Sequence, residues 1–166
     1  MPVAASVDSA HFRDVLGRVP TSVVVVTGTD ADGAPRGMTI GSFVSVSLDP
    51  PLVGFFIGTG SRSWEAIAPS GRFCVNVLAA GQDETCWRFA KEGDDKFAGL
   101  RWSASGLGNP AIDGCAARID CTIESATPAG DHAFVLGRVH ALSGSDDVDS
   151  AMVFYRGRVA GITHAG

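Results

Sequence analysis

The chain has 166 residues, which suffices for one compact core and falls short of what two domains need. Apolar residues make up 45% of it and charged residues only 19%, so the surface is sparsely charged; part of it is expected to lie against a partner, and a homodimer is the first expectation. A net charge of −5 without any basic run argues against a nucleic-acid ligand, and the uncharged stretches fall short of the roughly eighteen apolar residues of a membrane span. Met1–Phe12 lacks the basic start and apolar middle of a secretory signal, so a cytoplasmic location is expected, with residues 1–10 unstructured and one domain over 11–163. Cys74, Cys86, Cys115 and Cys121 form no C-x-x-C pair and, with four scattered histidines, no metal-ligand spacing; they read as buried thiols, and no metal is expected.

In chain order, Phe12, Val15, Leu16 and Val19 recur at helical spacing and predict a short amphipathic helix over His11–Val19. Val23–Thr29 is a β-branched run closed by Asp30, Asp32 and Gly33, the pattern of a buried strand and a turn. Phe43–Leu48 alternates and stops at Asp49-Pro50-Pro51, and Leu52–Ile57 is a fully apolar strand. A helix is expected from a Ser61 cap through Trp64, Ile67 and Ala68 to the break at Pro69–Gly71. Arg72–Leu78 alternates again, and Gln82–Ala90 reads as a helix with Trp87 and Phe89 on its apolar side. Gly93–Gly114 reads as loop. Ala117–Glu124, Ala133–Leu142, Ala151–Tyr155 and Val159–Ile162 complete about seven short strands. With only two or three short helices, the pattern is that of a mainly β, antiparallel, closed or nearly closed barrel.

Gly58-Thr59-Gly60 is followed by Ser63 where a dinucleotide fingerprint needs its third glycine, and no P-loop, nucleophile elbow or zinc-protease helix is present. What remains is a set of binding signals. Gly37–Pro51 alternates small hydroxyl residues with apolar ones, which could give a planar heterocycle a row of donors beside an apolar wall; the same pattern suits an edge strand whose hydroxyls face water. Ser61-Arg62-Ser63-Trp64 joins two hydroxyls and a guanidinium, fit for a phosphate or for a plain helix cap. Gly130-Asp131-His132 sets an imidazole at a barrel mouth, and Tyr155-Arg156-Gly157-Arg158 puts two arginines and an aromatic on a hairpin tip. Each could equally be solvated surface.

Together these segments resemble the short-chain flavin reductases of two-component flavin-dependent monooxygenases, built on the FMN-binding split β-barrel with Greek-key-like topology. The similarity runs from Phe12 to Ile162. It rests on Phe12-Arg13, Pro20–Thr27, Gly37-Met38-Thr39 with Ser42–Val53, Phe73–Leu78, Phe89-Ala90, Gly130-Asp131-His132 and Tyr155–Arg158, in register throughout. The resemblance implies a homodimer that binds FMN or FAD, takes hydride from NADH or NADPH and hands reduced flavin to a separate oxygenase component. It assigns Met38, Thr39, Ile40, Gly41, Ser42, Ser45 and Val46 to the flavin ring, Ser61, Arg62, Ser63 and Trp64 to its phosphate, and Phe89 and Ala90 to a further flavin contact. His132, as catalytic residue, and Tyr155, Arg156, Gly157 and Arg158 fall on the nicotinamide-nucleotide side. Gly41 departs from the family's usual Asn or Ser and removes a side-chain donor there. The chemistry needs no general base, since hydride passes between the two cofactors. A non-catalytic flavin-binding or flavin-shuttling barrel is the alternative; an oxidase of the pyridoxamine-phosphate type would need a more basic phosphate pocket than the lone Arg62 provides.

Overall fold

Residues 6–164 are described by the computed structural model, and among them are three α-helices and twelve strands. The opening helix α1 is Ser9–Leu16, capped by the Asp8 carboxylate, which accepts from the His11 N–H at 2.9 Å. This cap starts the helix ahead of His11, so Ser9 and Ala10 are ordered although an unstructured 1–10 is expected; residues 1–5 lie outside the described range. The apolar stripe of α1 is also turned outward. None of its residues is buried, and Phe12, Val15 and Leu16 are exposed, as is Val19 just beyond.

The strands follow as β1 (Thr21–Ser22), β2 (Val24–Thr29), β3 (Pro35–Ile40), β4 (Val44–Ser47) and β5 (Leu52–Gly58). Helix α2 (Arg62–Ile67) runs into a single 3-10 turn at Ala68–Ser70 and leads to β6 (Arg72–Val77); helix α3 (Asp83–Ala90) comes next. The short strands β7 (Trp102–Ala104) and β8 (Pro110–Ile112) lie within the stretch expected to be loop. The long hairpin β9 (Ala117–Ala129) and β10 (His132–Gly144) and the final pair β11 (Ser150–Tyr155) and β12 (Arg158–Thr163) end the chain.

Seven strands form one antiparallel sheet in the order β3-β2-β6-β9-β10-β5-β4. Its two edge strands, β3 and β4, are consecutive in the chain and separated only by Gly41, Ser42 and Phe43. Three residues span roughly 10 Å, so the sheet must curl until its two edges approach each other at this corner. The curled face is sealed by Val24, Val26, Phe55, Phe73, Val75 and Val135, all fully buried. A second core lies between the outer face of β2, helix α3 and β11, with Val25, Leu78, Phe89, Ile112 and Met152. The three-stranded sheet β1-β11-β12 closes that side.

Polar groups inside are tied together. Asn76 donates to the Val25 carbonyl and to Thr27 Oγ1, each at 3.0 Å, and accepts from the Ile112 N–H at 2.8 Å, while Thr27 donates to the Pro110 carbonyl. That network holds the β7–β8 ribbon on the barrel; broken, it would strand buried partners at about 1–3 kcal/mol each. All four cysteines are free and buried, as the composition implies.

Candidate functional site

The Thr39–Ser47 stretch bends at Gly41–Phe43 and serves two opposite edges of the sheet, so it is not one continuous ribbon of donors. Its hydroxyls are largely engaged within the protein. Thr39 donates to the Cys86 carbonyl of α3 at 2.7 Å, and Ser42 Oγ both donates to the Phe56 carbonyl and accepts from its N–H, at 3.1 and 2.9 Å. Met38 and Ile40 point into the core, as the period-2 alternation with Thr39 requires. A ligand at this corner therefore meets main chain and the exposed Val44, Ser45 and Val46 of the edge strand β4. Thr21 Oγ1 is buried there without a partner, 3.3 Å from the position a Cβ on Gly41 would take. The glycine keeps the corner open, since any side chain there would press on that hydroxyl.

Helix α2 starts as expected, with Ser61 Oγ accepting from the Trp64 N–H at 3.3 Å. The same hydroxyl donates to Met38 Sδ at 3.8 Å, so Ser61 works as cap and as link to β3. Trp64 is half-buried: its indole packs edge-on against Phe55 and Phe73, with centroids at 5.4 and 6.2 Å, and anchors the helix on the core. Arg62 is exposed and pairs with Glu92 at 3.4 Å. Phe89 is buried edge-on against Phe97, with Gly37 closely packed on its ring, and Ala90 is exposed. Trp87, expected on the apolar side of α3, is 42% exposed and meets only the edge of Phe154.

One residue the sequence reading passed over joins these pieces. Lys96 is 8% exposed and donates to the Gly37 carbonyl at 3.2 Å, to Ser63 Oγ at 3.3 Å and to the Phe89 carbonyl at 3.3 Å. It thus ties β3, α2 and the C-terminal carbonyls of α3 to one ammonium group. Burial pushes its pKa below the ordinary lysine value, with Arg62 adding to the shift and Glu92 opposing it. Beside it lies a cleft of about 140 Å³ lined by Arg36, Arg62, Ser63, Glu92 and Asp94. Arg36 is held there by Asp30 at 2.9 Å and by the exposed Asp94 at 3.5 Å. Two arginines and a hydroxyl line this cleft, faced by the carboxylates of Glu92 and Asp94; a phosphate seated there would take the place of those carboxylates on the guanidiniums.

His132 is the first residue of β10 and sits opposite Gly58 of β5. Its Nδ1 lies 2.6 Å from Asp131 Oδ1, and the Asp131 carbonyl accepts from the Thr59 N–H at 3.1 Å. Hydrogen bonding from His132 holds the Asp131 carboxyl below its ordinary range. With Nδ1 engaged, Nε2 of this half-exposed imidazole is the ring nitrogen left to meet a ligand. Gly58, Thr59 and Gly60 lead from the strand position opposite His132 to the Ser61 cap of α2, so one short segment joins the imidazole's strand to the cleft. The Tyr155–Arg158 turn stands elsewhere, on the three-stranded sheet against α1, where the Arg156 N–H donates to the Gly17 carbonyl at 3.0 Å. Among the described residues no group of three metal-binding side chains occurs.

Comparison with known proteins points one way. The family described as flavin reductase like domain matches residues 16–163. A flavin reductase of Pseudomonas putida is 48% identical over 159 residues, covering 96% of this chain and 93% of the relative. The reductase subunit HsaB of a flavin-dependent monooxygenase from Rhodococcus jostii is 47% identical, over 96% of this chain and 80% of its own length. Among solved structures, the NADH:FAD oxidoreductase SgcE6 of Streptomyces globisporus, in complex with NAD and FAD fragments, superposes with a TM-score of 0.86 at 36% identity, covering 92% of each chain.

Proposed function

The chain belongs to the flavin reductase like domain family, and from that premise we propose that it is the NAD(P)H-dependent reductase component of a two-component flavin-dependent monooxygenase. It reduces FMN or FAD with NADH or NADPH and supplies the reduced flavin to a separate oxygenase component. The observation that carries this reading is the stretch Phe56–Ser63, which bonds Ser42 of the β3–β4 corner at Phe56, pairs with His132 at Gly58 and reaches the arginine-lined cleft at Ser63.

The residues present fit a flavin. Arg62, Arg36 and Ser63 line the cleft and supply donors for its phosphate, and Lys96 holds Ser63 in place behind them. The edge main chain of β4, with Val44, Val46 and Phe56 exposed around it, supplies unpaired backbone groups and an apolar wall for a planar ring. Bound flavin supplies the ring nitrogen that takes the hydride, and the nicotinamide supplies the hydride. The chain's own part is positioning. Ser42 fixes the corner on β5, Lys96 fixes the three elements around the phosphate, and Asp131 fixes His132 so that Nε2 faces the nicotinamide nucleotide. Holding donor and acceptor at near-attack distance removes entropy from the barrier, on the order of 7–11 kcal/mol in the best cases. The shallow, exposed site suits a flavin that leaves after reduction.

The working unit is a homodimer in which the outward apolar face of α1, with Phe12, Val15, Leu16 and Val19, is covered by a second copy. Among the described residues no helix is long and apolar enough to cross a membrane, and the buried free thiols fit the reducing cytoplasm. Oxidation of NADH and NADPH followed at 340 nm with FMN, FAD and riboflavin tests the assignment. Flavin-dependent turnover supports it; flavin binding without turnover under every combination gives the non-catalytic barrel instead.

A further inference from the structure

Trp87 stands outward on α3 although helical spacing puts it on the apolar side: it is 42% exposed, and its one aromatic neighbour among the described residues is Phe154, with centroids 6.5 Å apart. It lines a cavity of about 410 Å³ together with Arg88, Lys91, Glu92, Gly93 and Asp95. That volume falls within the roughly 300–1,000 Å³ of small-molecule sites. The cavity adjoins the arginine-lined cleft. Glu92 and Gly93 line both, and Lys96, which also borders the cavity, donates to Ser63 of the cleft at 3.3 Å. Gly93 has a φ of 150°, in the region that favours glycine, and a Cβ there would meet nothing within 4 Å, so at this point the shared wall carries no side chain and borders open space.

The charged groups of the cavity differ in how far they are engaged. Arg88 donates to the Ala98 carbonyl at 2.8 Å and to Glu84 at 2.7 Å, and Glu92 is held by Arg62 at 3.4 Å. Lys91 and Asp95 have no ion-pair partner within 4.0 Å among the described residues. With acidic side chains around it, the cavity is a poor seat for a phosphate. It has the groups that a nucleoside needs: an indole on which a base stacks, and a free carboxylate that accepts from an exocyclic amine or a ribose hydroxyl. Lys91 carries the positive charge that suits a second phosphate beyond the one in the cleft.

We propose that this cavity takes the adenosine of FAD while the flavin phosphate occupies the arginine-lined cleft, which makes FAD the preferred flavin over FMN. The proposal rests on the reading of that cleft as the flavin phosphate site, and it adds a pocket that FMN leaves unfilled. NADH also carries an adenosine, so the test separates the two sources. Binding of FAD, FMN and riboflavin is measured by calorimetry without NADH for the full chain and for Trp87→Ala, Trp87→Phe and Asp95→Ala, with thermal melts to confirm folding. FAD should bind about tenfold more tightly than FMN; Trp87→Ala should remove that difference by weakening FAD alone, and Trp87→Phe should keep most of it, as loss and retention of one stacked base imply. Asp95→Ala should weaken FAD about three- to tenfold and leave FMN unchanged. Equal affinities of the unmodified chain for FAD and FMN, or a Trp87→Ala variant that weakens both alike, overturn the proposal and leave the reductase reading in place. The KM for NADH is measured with riboflavin as acceptor: a rise in Trp87→Ala with the FAD-to-FMN ratio unchanged gives the cavity to the nicotinamide nucleotide and also overturns it. If no flavin binds, the proposal and the reading beneath it fall together.

Discussion

Replacing Lys96 by Met removes the ammonium and keeps a chain of similar length in its slot. The structure gives Lys96 three acceptors, two of them main-chain carbonyls on β3 and at the end of α3. Charge-assisted hydrogen bonds are worth roughly 1.5–3 kcal/mol each, some 4–9 kcal/mol for three, against several kcal/mol of effective cost for keeping an ammonium out of water. The difference, with two carbonyls left partnerless and the Met methyl regaining some apolar burial, sets an expected loss of about 2–3 kcal/mol. At about 2–4 °C per kcal/mol for a domain of this size, Lys96→Met should melt roughly 5–10 °C lower by circular dichroism. The KM for FMN should rise more than that for riboflavin, because the cation beside the phosphate cleft is gone. A variant that melts with the unmodified chain and keeps the same FMN-to-riboflavin ratio would refute the reasoning.

Three further outcomes follow from particular contacts. Burial raises the pKa of Cys74 and Cys121 from 9.0 to about 12 and that of Cys115 to about 11, so the folded state holds these protons more tightly than the unfolded state. Their contribution is whole below pH 9 and lost as pH climbs toward 11–12, at up to about 4 kcal/mol per pH unit for three thiols; Lys96, shifted downward, opposes with one group. Urea unfolding at pH 8 and pH 10.5 should therefore show a fall of several kcal/mol, and equal stabilities would contradict it. A Cβ on Gly137 would lie 2.5 Å from the Phe73 ring, whereas one on Gly58 meets nothing within 4 Å. Gly137→Ala should cost about 1–3 kcal/mol and Gly58→Ala less than about 1, read from paired denaturation curves. In a double-mutant cycle, His132→Ala should raise the KM for NADH about five- to tenfold, and Asp131→Ala should add nothing in that background if Asp131 acts through the imidazole; additive effects would separate the two residues.

The barrel was legible in the sequence where burial was one-sided or complete. The Val23–Val26 run, the alternation of Ala117–Glu124 and the Asp49–Pro51 stop each encode their element locally. β3 was hidden because Gly37, Met38 and Thr39 continue smoothly into the next hydroxyl-rich stretch, and the chain reversal at Gly41–Phe43 carries no Pro or Asn-Gly signal. β7 and β8 have three residues each and are held by the Asn76–Thr27 network, a tertiary cause that no local window contains. Helical spacing gave α1 its stripe but not its direction, since the same periodicity serves a core and an interface. The site followed the same rule. Segments were recognisable, yet periodicity does not say that Trp64 packs inward or that Ser61 is spent as a cap. Lys96 had one usable signal, a lysine directly before the apolar Phe97 at the end of a polar loop, and that pattern more often marks solvent.

A crystal structure with FMN bound is the most direct test of the claim that the β3–β4 corner and the Gly58–Ser63 segment together hold the flavin. The account predicts the ring against the main chain of Ser42–Val46 and the phosphate within hydrogen-bond distance of Ser63 and of Arg62 or Arg36. FMN seated away from both segments, with the corner closed by protein, would contradict it.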